Sequence, residues 1–237
     1  MVIGAGAMLA MSNMLRMASL ADQVVAEVRR GIRARRYVPG EVYSVYQLSE
    51  ALGFSRSPVR EAMLRLAEAG LVEISRNRGF RVLLPQPRDL AEIFAVRLAL
   101  EVPAARRCAA APDSPDALLE CMSAMERADG DEEFWAQDRR LHELILLGGG
   151  NRRSAQIVAG LRDTTSLLGE PTHRTHTAIC AEHRPIVVAV QAHDPEQAAV
   201  AMTEHLTSTA LLLMAEAAGV SPQERSIREL WEEVTCG

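Results

Sequence analysis

Residues 48–82 read LSEALGFSRSPVREAMLRLAEAGLVEISRNRGFRV, and the order of elements in this stretch decides the fold of the front of the chain. Leu48, Ala51 and Leu52 are the buried face of a short helix. Ser44 caps it, Gln47 three residues later completes a capping box, and Gly53 stops it. A longer helix begins in SRSPVREA, where Ser57 can cap and Pro58 takes the first helical position, at which its missing N–H is not needed. Val59, Ala62, Met63, Leu66 and Ala67 form its inward face, and it ends at Gly70. Leu71, Val72 and Ile74, then Phe80, Val82 and Leu83, are strand-like on either side of SRNRG. Residues 71–85 therefore predict a β-hairpin with Arg76 and Arg78 at its tip.

Upstream, Leu20, Val24, Val28 and Ile32 repeat every four residues and predict one more helix. Three helices and a hairpin, with a tight Gly-containing turn between the second and third, spell a winged helix-turn-helix. Arg56 and Arg60 support that reading. They stand at the start of a helix, the end whose dipole disfavours cations, and lie four apart on the face opposite the apolar stripe. Their placement makes sense if this helix end meets double-stranded DNA, whose guanine edges and phosphates supply the negative partners. Ser55 and Ser57 can reach phosphates, and the hairpin tip, Arg76 to Gly79, can ride the minor groove or backbone. Arg65, later on the helix, is expected to meet solvent or a neighbouring acid, Glu61 or Glu68.

Charge divides the chain in the same way. The formal net charge is −5, and all 26 basic residues are arginine. Residues 1–83 carry +5 and residues 84–237 carry −10, which suggests two domains, the first facing a polyanion. Pro85 and Pro87 mark a linker, and from Arg88 onward only helical patterns occur, near 88–110, 114–128, 131–147, 153–168, 174–192, 195–218 and 222–234. Pro103 is expected to kink or split the first of these. The fold class is mainly α: an N-terminal winged helix-turn-helix followed by an all-α helical bundle. The expected limits are 1–18 for an unstructured extension, 19–84 for the winged helix, 85–88 for the linker, 89–220 for the bundle and 221–237 for a C-terminal helix or tail. In the first 19 residues no charge precedes Arg16, and Ser12 and Asn13 break the apolar run. No signal peptide is read there, and Met8, Met11 or Met14 could be the true start. No stretch reaches about 18 apolar residues, so no membrane span is expected. Cys108, Cys121, Cys180 and Cys236 lie far apart without a CxxC pair, as expected of thiols in a reducing cytoplasm.

Four residues of the bundle stand out. Asp138 and His142 are four apart in AQDRRLHEL and share a helix face, His183 lies in AEHRPI, and His205 lies in MTEHL. An aspartate with imidazoles suits a divalent metal such as zinc, nickel or manganese. His173 and His176 in THRTH, three apart, compete for that role on spacing alone. Two other readings are a metal-dependent hydrolase or lyase on the same residues, and a DNA-binding dimer whose second domain only dimerises. No HExxH, nucleophile elbow or phosphate loop supports the enzyme.

The pattern LG-SR-PVREA--RL---GLV followed by RG--V in residues 48–82 resembles the DNA-binding domain of the GntR family of bacterial transcription regulators. That resemblance implies Ser55, Arg56, Ser57, Arg60 and Gly79 as DNA contacts. It also implies a homodimer on an inverted-repeat operator. One departure is Tyr46, where the family often carries an arginine. Residues 88–218 resemble the all-helical FCD domain of FadR-like members, in VRLALE (96–101), D---H (138–142), GGN (149–151), EHR-I (182–186) and D-E-A---M--HL (194–206). In the metal-binding branch the ligands fall at Asp138, His142, His183 and His205, and Arg97 would pair the carboxylate of a small organic acid. Pro185 departs from the family pattern. It is tolerable if its helix starts near Glu182, which would put His183 in the first turn.

Overall fold

The first apolar stripe folds as α1 (Leu20–Arg33). Ser19 opens it with a capping box: its hydroxyl accepts from the Asp22 N–H, and the Asp22 carboxylate accepts from the Ser19 N–H. The computed structural model describes residues 19–34, 36–68, 70–75, 79–111, 115–165 and 174–236. The expected extension, the hairpin-tip residues Arg76 and Arg78, and His173 lie outside these. The described residues form two compact units, one within 1–83 and the other within 84–237.

In the first unit, α2 (Val45–Leu52) carries the Ser44–Gln47 capping box and stops at Gly53. The next helix, α3 (Arg56–Glu68), begins two residues before its expected first position, Pro58. The difference has a simple cause. The first four N–H groups of a helix have no partner within it, so a proline marks the first turn and not one residue of it. Ser57 therefore lies inside the helix. Val24, Val28 and Ile32 of α1 and Val59, Ala62, Met63 and Leu66 of α3 are buried where the two helices pack. The hairpin forms as β2 (Val72–Ser75) and β3 (Gly79–Val82). A strand that the sequence did not signal, β1 (Val42–Tyr43), pairs with β3, giving the antiparallel order β1–β3–β2. Two residues are too few to display a period of two. Tyr43 lies opposite Phe80 in register, and their rings stack at 5.7 Å. Gly79 is required here: its φ is +126°, and a Cβ would fall 2.0 Å from the Tyr43 carbonyl oxygen.

Seven helices make up the described part of the second unit: α4 (Pro87–Ala110), α5 (Pro115–Arg127), α6 (Asp131–Gly148), α7 (Arg152–Thr165), α8 (His176–Gln191), α9 (Pro195–Ala218) and α10 (Arg225–Cys236). Helices α4 and α9 pack most extensively, and α6 and α8 also lie against α4. The core holds Phe94, Phe134, Leu141, Ile145, Ile186, Met202 and Leu206. Neither internal proline breaks its helix, so the split expected at Pro103 and the start near Glu182 considered for Pro185 are both absent. Pro103 does not end or split α4, because Ala104, Ala105, Cys108 and Ala109 beyond it are all buried, and packing holds that segment in helix. Close approach helps: Gly149, after the end of α6, sits where a Cβ would come 2.8 Å from the Ala104 Cα, and Arg107 Nε donates to its carbonyl at 2.8 Å. Pro185 likewise lies inside α8, which starts at His176 behind the Thr175 cap and not near Glu182. His183 is therefore mid-helix. By length and composition α9 could cross a membrane, but it is mostly buried against α4, α8 and α10. Cys108, Cys121 and Cys180 are buried thiols, and burial pushes Cys121 up to about 11.

Candidate functional site

On the first unit, Ser55, Arg56, Ser57 and Arg60 are all exposed at the start of α3. Arg60 makes no ion pair or hydrogen bond among the described residues. The Arg56 guanidinium lies over the Tyr46 ring, 4.9 Å from its centroid. Tyr46 is half exposed, and its hydroxyl donates to Glu50 at 2.9 Å. This contact was not read from the sequence, although Tyr46 had already stood out as unusual. Arg65 is different, pairing with Asp22 at 2.7 Å and Glu61 at 2.5 Å. Basic residues thus separate into one set that is free for an external anion and one that is engaged within the fold.

On the second unit, the structure brings Asp138 and His142 of α6, His183 of α8 and His205 of α9 into one buried group, each at most 6% exposed. His142 Nε2 and His183 Nε2 are 3.2 Å apart, and ligand atoms of all three histidines lie within 4.8 Å of one another. The other ring nitrogens are engaged. His183 Nδ1 is 2.9 Å from the Ile179 carbonyl, which can only accept. His142 Nδ1 meets the Glu101 carboxylate, and His205 Nδ1 lies 3.3 Å from Glu182. Protons on Nδ1 of His142 and His183 leave two bare Nε2 lone pairs facing each other, which a cation between them would satisfy. Burial, helped by Arg162, pushes His142 down to about 4. Burial, with the neighbouring histidines, holds His205 well below its usual value. Both rings are thus neutral and able to coordinate. The three imidazoles could hold a metal ion.

Asp138 is placed beside this set but divided in its contacts: Oδ1 is 3.1 Å from His183 Nε2, and Oδ2 is paired with Arg162 of α7. Arg97 is 3% exposed and bonds Glu101 Oε1 through Nε at 2.6 Å. Burial disfavours the charges of Asp138 and Glu101, yet Arg162 beside the first and Arg97 and His142 beside the second outweigh it and hold both carboxyls well below the usual range. Glu101, Arg162 and Glu182 were not picked out as site residues. Glu101 had a signal, its four-residue spacing from Arg97. Arg162 had none, because a charge within a helix reads as a solvated face. His176, the competing histidine, lies apart: it stacks on Phe134 at 3.9 Å and pairs with Asp131 at 2.9 Å.

Comparison with known proteins accounts for both units. Residues 20–82 match the family described as bacterial regulatory proteins, gntR family, and residues 92–208 match the FCD domain. An HTH-type transcriptional regulator from the TAR-I ttuE–ttuC′ intergenic region of Agrobacterium vitis is 37% identical over 130 residues, covering 50% of this chain and 74% of that protein. The Exu regulon transcriptional regulator of Escherichia coli K12 is 26% identical over 223 residues, covering 83% and 85%. The solved structure of E. coli McbR/YncC shares the fold, with a TM-score of 0.64 at 23% identity over 83% of this chain and 98% of that one. The relatives are regulators and not enzymes. The chain belongs to the GntR family of bacterial DNA-binding transcription regulators, with an FCD effector domain following its winged helix-turn-helix.

Proposed function

We propose that the protein binds an inverted-repeat operator as a homodimer in the cytoplasm and changes its DNA affinity when the second unit binds a small carboxylate at a metal site. Ser55, Arg56, Ser57 and Arg60 are the DNA-facing residues, with Gly79, Arg76 and Arg78 in the wing. Two recognition helices would reach half-sites about 34 Å apart, one turn of DNA. Asp138, His142, His183 and His205 would hold zinc, nickel or manganese, and Arg97 would receive the carboxylate. A bound divalent ion supplies open positions for oxygen ligands. The protein's own groups do the rest. Glu101 and the Ile179 carbonyl fix the rings of His142 and His183, and the surrounding core excludes water. The facing Nε2 atoms of His142 and His183, 3.2 Å apart, carry this reading. Effector binding shifts DNA affinity only as far as it favours one arrangement of the dimer over the other.

Elemental analysis of purified protein, with fluorescence anisotropy on operator DNA, tests both halves. One divalent ion per chain is expected, lost on His142→Ala. Arg56→Ala and Arg60→Ala should each weaken operator binding by about 1–3 kcal/mol and leave the fold intact. Protein that takes up none of the three metals, or variants that bind DNA like the parent, would contradict the corresponding half.

A further inference from the structure

Two arginines of the second unit carry donors that no group among the described residues meets. Nη2 of Arg97 and Nε of Arg162 are buried without a hydrogen-bond partner. A buried N–H left unmatched is costly in a folded protein and calls for a partner outside the chain. The known partners do not remove the deficit, because Arg97 meets Glu101 through Nε, and Arg162 meets Asp138 through Nη2. The two arginines come from different helices, α4 and α7, and both border the imidazoles. Glu101 bonds His142, Asp138 approaches His183, and each carboxylate has its own arginine. They are near enough that the charge of Arg162 helps lower the pKa of Arg97.

Charge sets the next constraint. Each arginine is balanced by one carboxylate, and an imidazole must be neutral to ligate a metal. A divalent cation on the imidazoles would add two positive charges that no other group in this cluster balances, where every ring is at most 6% exposed. Uncompensated charge in such surroundings is strongly unfavourable. A monocarboxylate would remove half the excess and fill one arginine. A ligand with two carboxylates would remove all of it and give both orphaned donors an acceptor.

We propose that the effector is a small dicarboxylate, one carboxylate received by Arg97 and the other by Arg162. This rests on the reading of the histidine cluster as the effector site, and adds to it Arg162 and the second negative charge. Donors on two separate helices favour two separated acceptor groups over one tetrahedral anion.

Isothermal titration of the zinc-loaded full chain at fixed ionic strength tests this, with malonate against propionate, succinate against butyrate, and inorganic phosphate alongside. At least one diacid is expected to bind about tenfold or more tighter than its matching monoacid, as a second charge-assisted contact implies. In Arg162→Gln that preference should fall to about threefold or less. Arg162→Lys retains a counter-charge for Asp138, guards against a folding defect, and should lower the preference as well. Equal affinity for diacids and monoacids, a preference unchanged in both variants, or phosphate binding more tightly than either diacid would overturn the proposal. If zinc binds but no carboxylate of either charge does, carboxylate sensing itself fails. If monoacids bind and the second carboxylate adds nothing, only the dicarboxylate assignment fails.

Discussion

Glu101 serves two neighbours at once, Arg97 at one oxygen and His142 at the other, and is itself completely buried. Removing its charge would strand the Arg97 guanidinium in the core. Glu101→Gln is therefore expected to destabilise the second unit by about 3–5 kcal/mol, the usual penalty for breaking a buried pair from one side. Urea denaturation would measure it, and a loss under 1 kcal/mol would show, on the same principle, that Arg97 finds another partner. At this scale the sequence was partly legible. Asp138, His142, His183 and His205 were picked out and do converge, because ligand residue types at helical spacing are rare enough to notice. Arg162 was invisible, because what makes it unusual is its neighbours, and they lie 24 or more residues away in the chain.

At the scale of elements, local signals were read well and tertiary ones were not. The Ser44–Gln47 box formed as expected, since both partners are three residues apart and need nothing else. Ser44→Ala should cost about 1 kcal/mol, seen as a lower denaturation midpoint with an unchanged slope. Gly79→Ala should be worse, combining a left-handed backbone with a clash against the β1 carbonyl, and a loss of about 1–3 kcal/mol or more is expected from thermal unfolding. If Gly79→Ala melts like the parent, β1 does not close over that position. The extents of α4 and α8 were read correctly, but the split expected at Pro103 and the start near Glu182 considered for Pro185 did not occur, for a single reason. Propensity treats each helix as isolated, while both are packed on either side of the proline.

For the molecule as a whole, acid is the informative variable. In metal-free protein His142 titrates at about 4, against 6.5 for an ordinary histidine. As pH falls, the unfolded chain takes up this proton first, so stability is lost between pH 6.5 and 4. Glu101 and Asp138, both held below their ordinary values, extend the loss at lower pH in the same direction. Urea midpoints of chelator-treated protein should therefore fall steadily from pH 7 to pH 4, and a flat profile would contradict neutral buried rings. The division of labour between a basic front and an acidic back was legible from charge alone. Strand β1 and the ion pairs of the buried cluster were not.

The buried thiols have a practical consequence. All four cysteines follow residue 84, and Cys108, Cys121 and Cys180 are shielded within the second unit. The protein thus contains its own chemical stopwatch for that unit. A chromogenic disulfide reagent should consume these three sulfurs only when the helical bundle opens, and it has nothing to react with in the winged helix. Labelling rates at rising urea would then report the opening of the bundle alone, and effectors could be ranked by how far they slow the colour, without a dye, a tag or DNA.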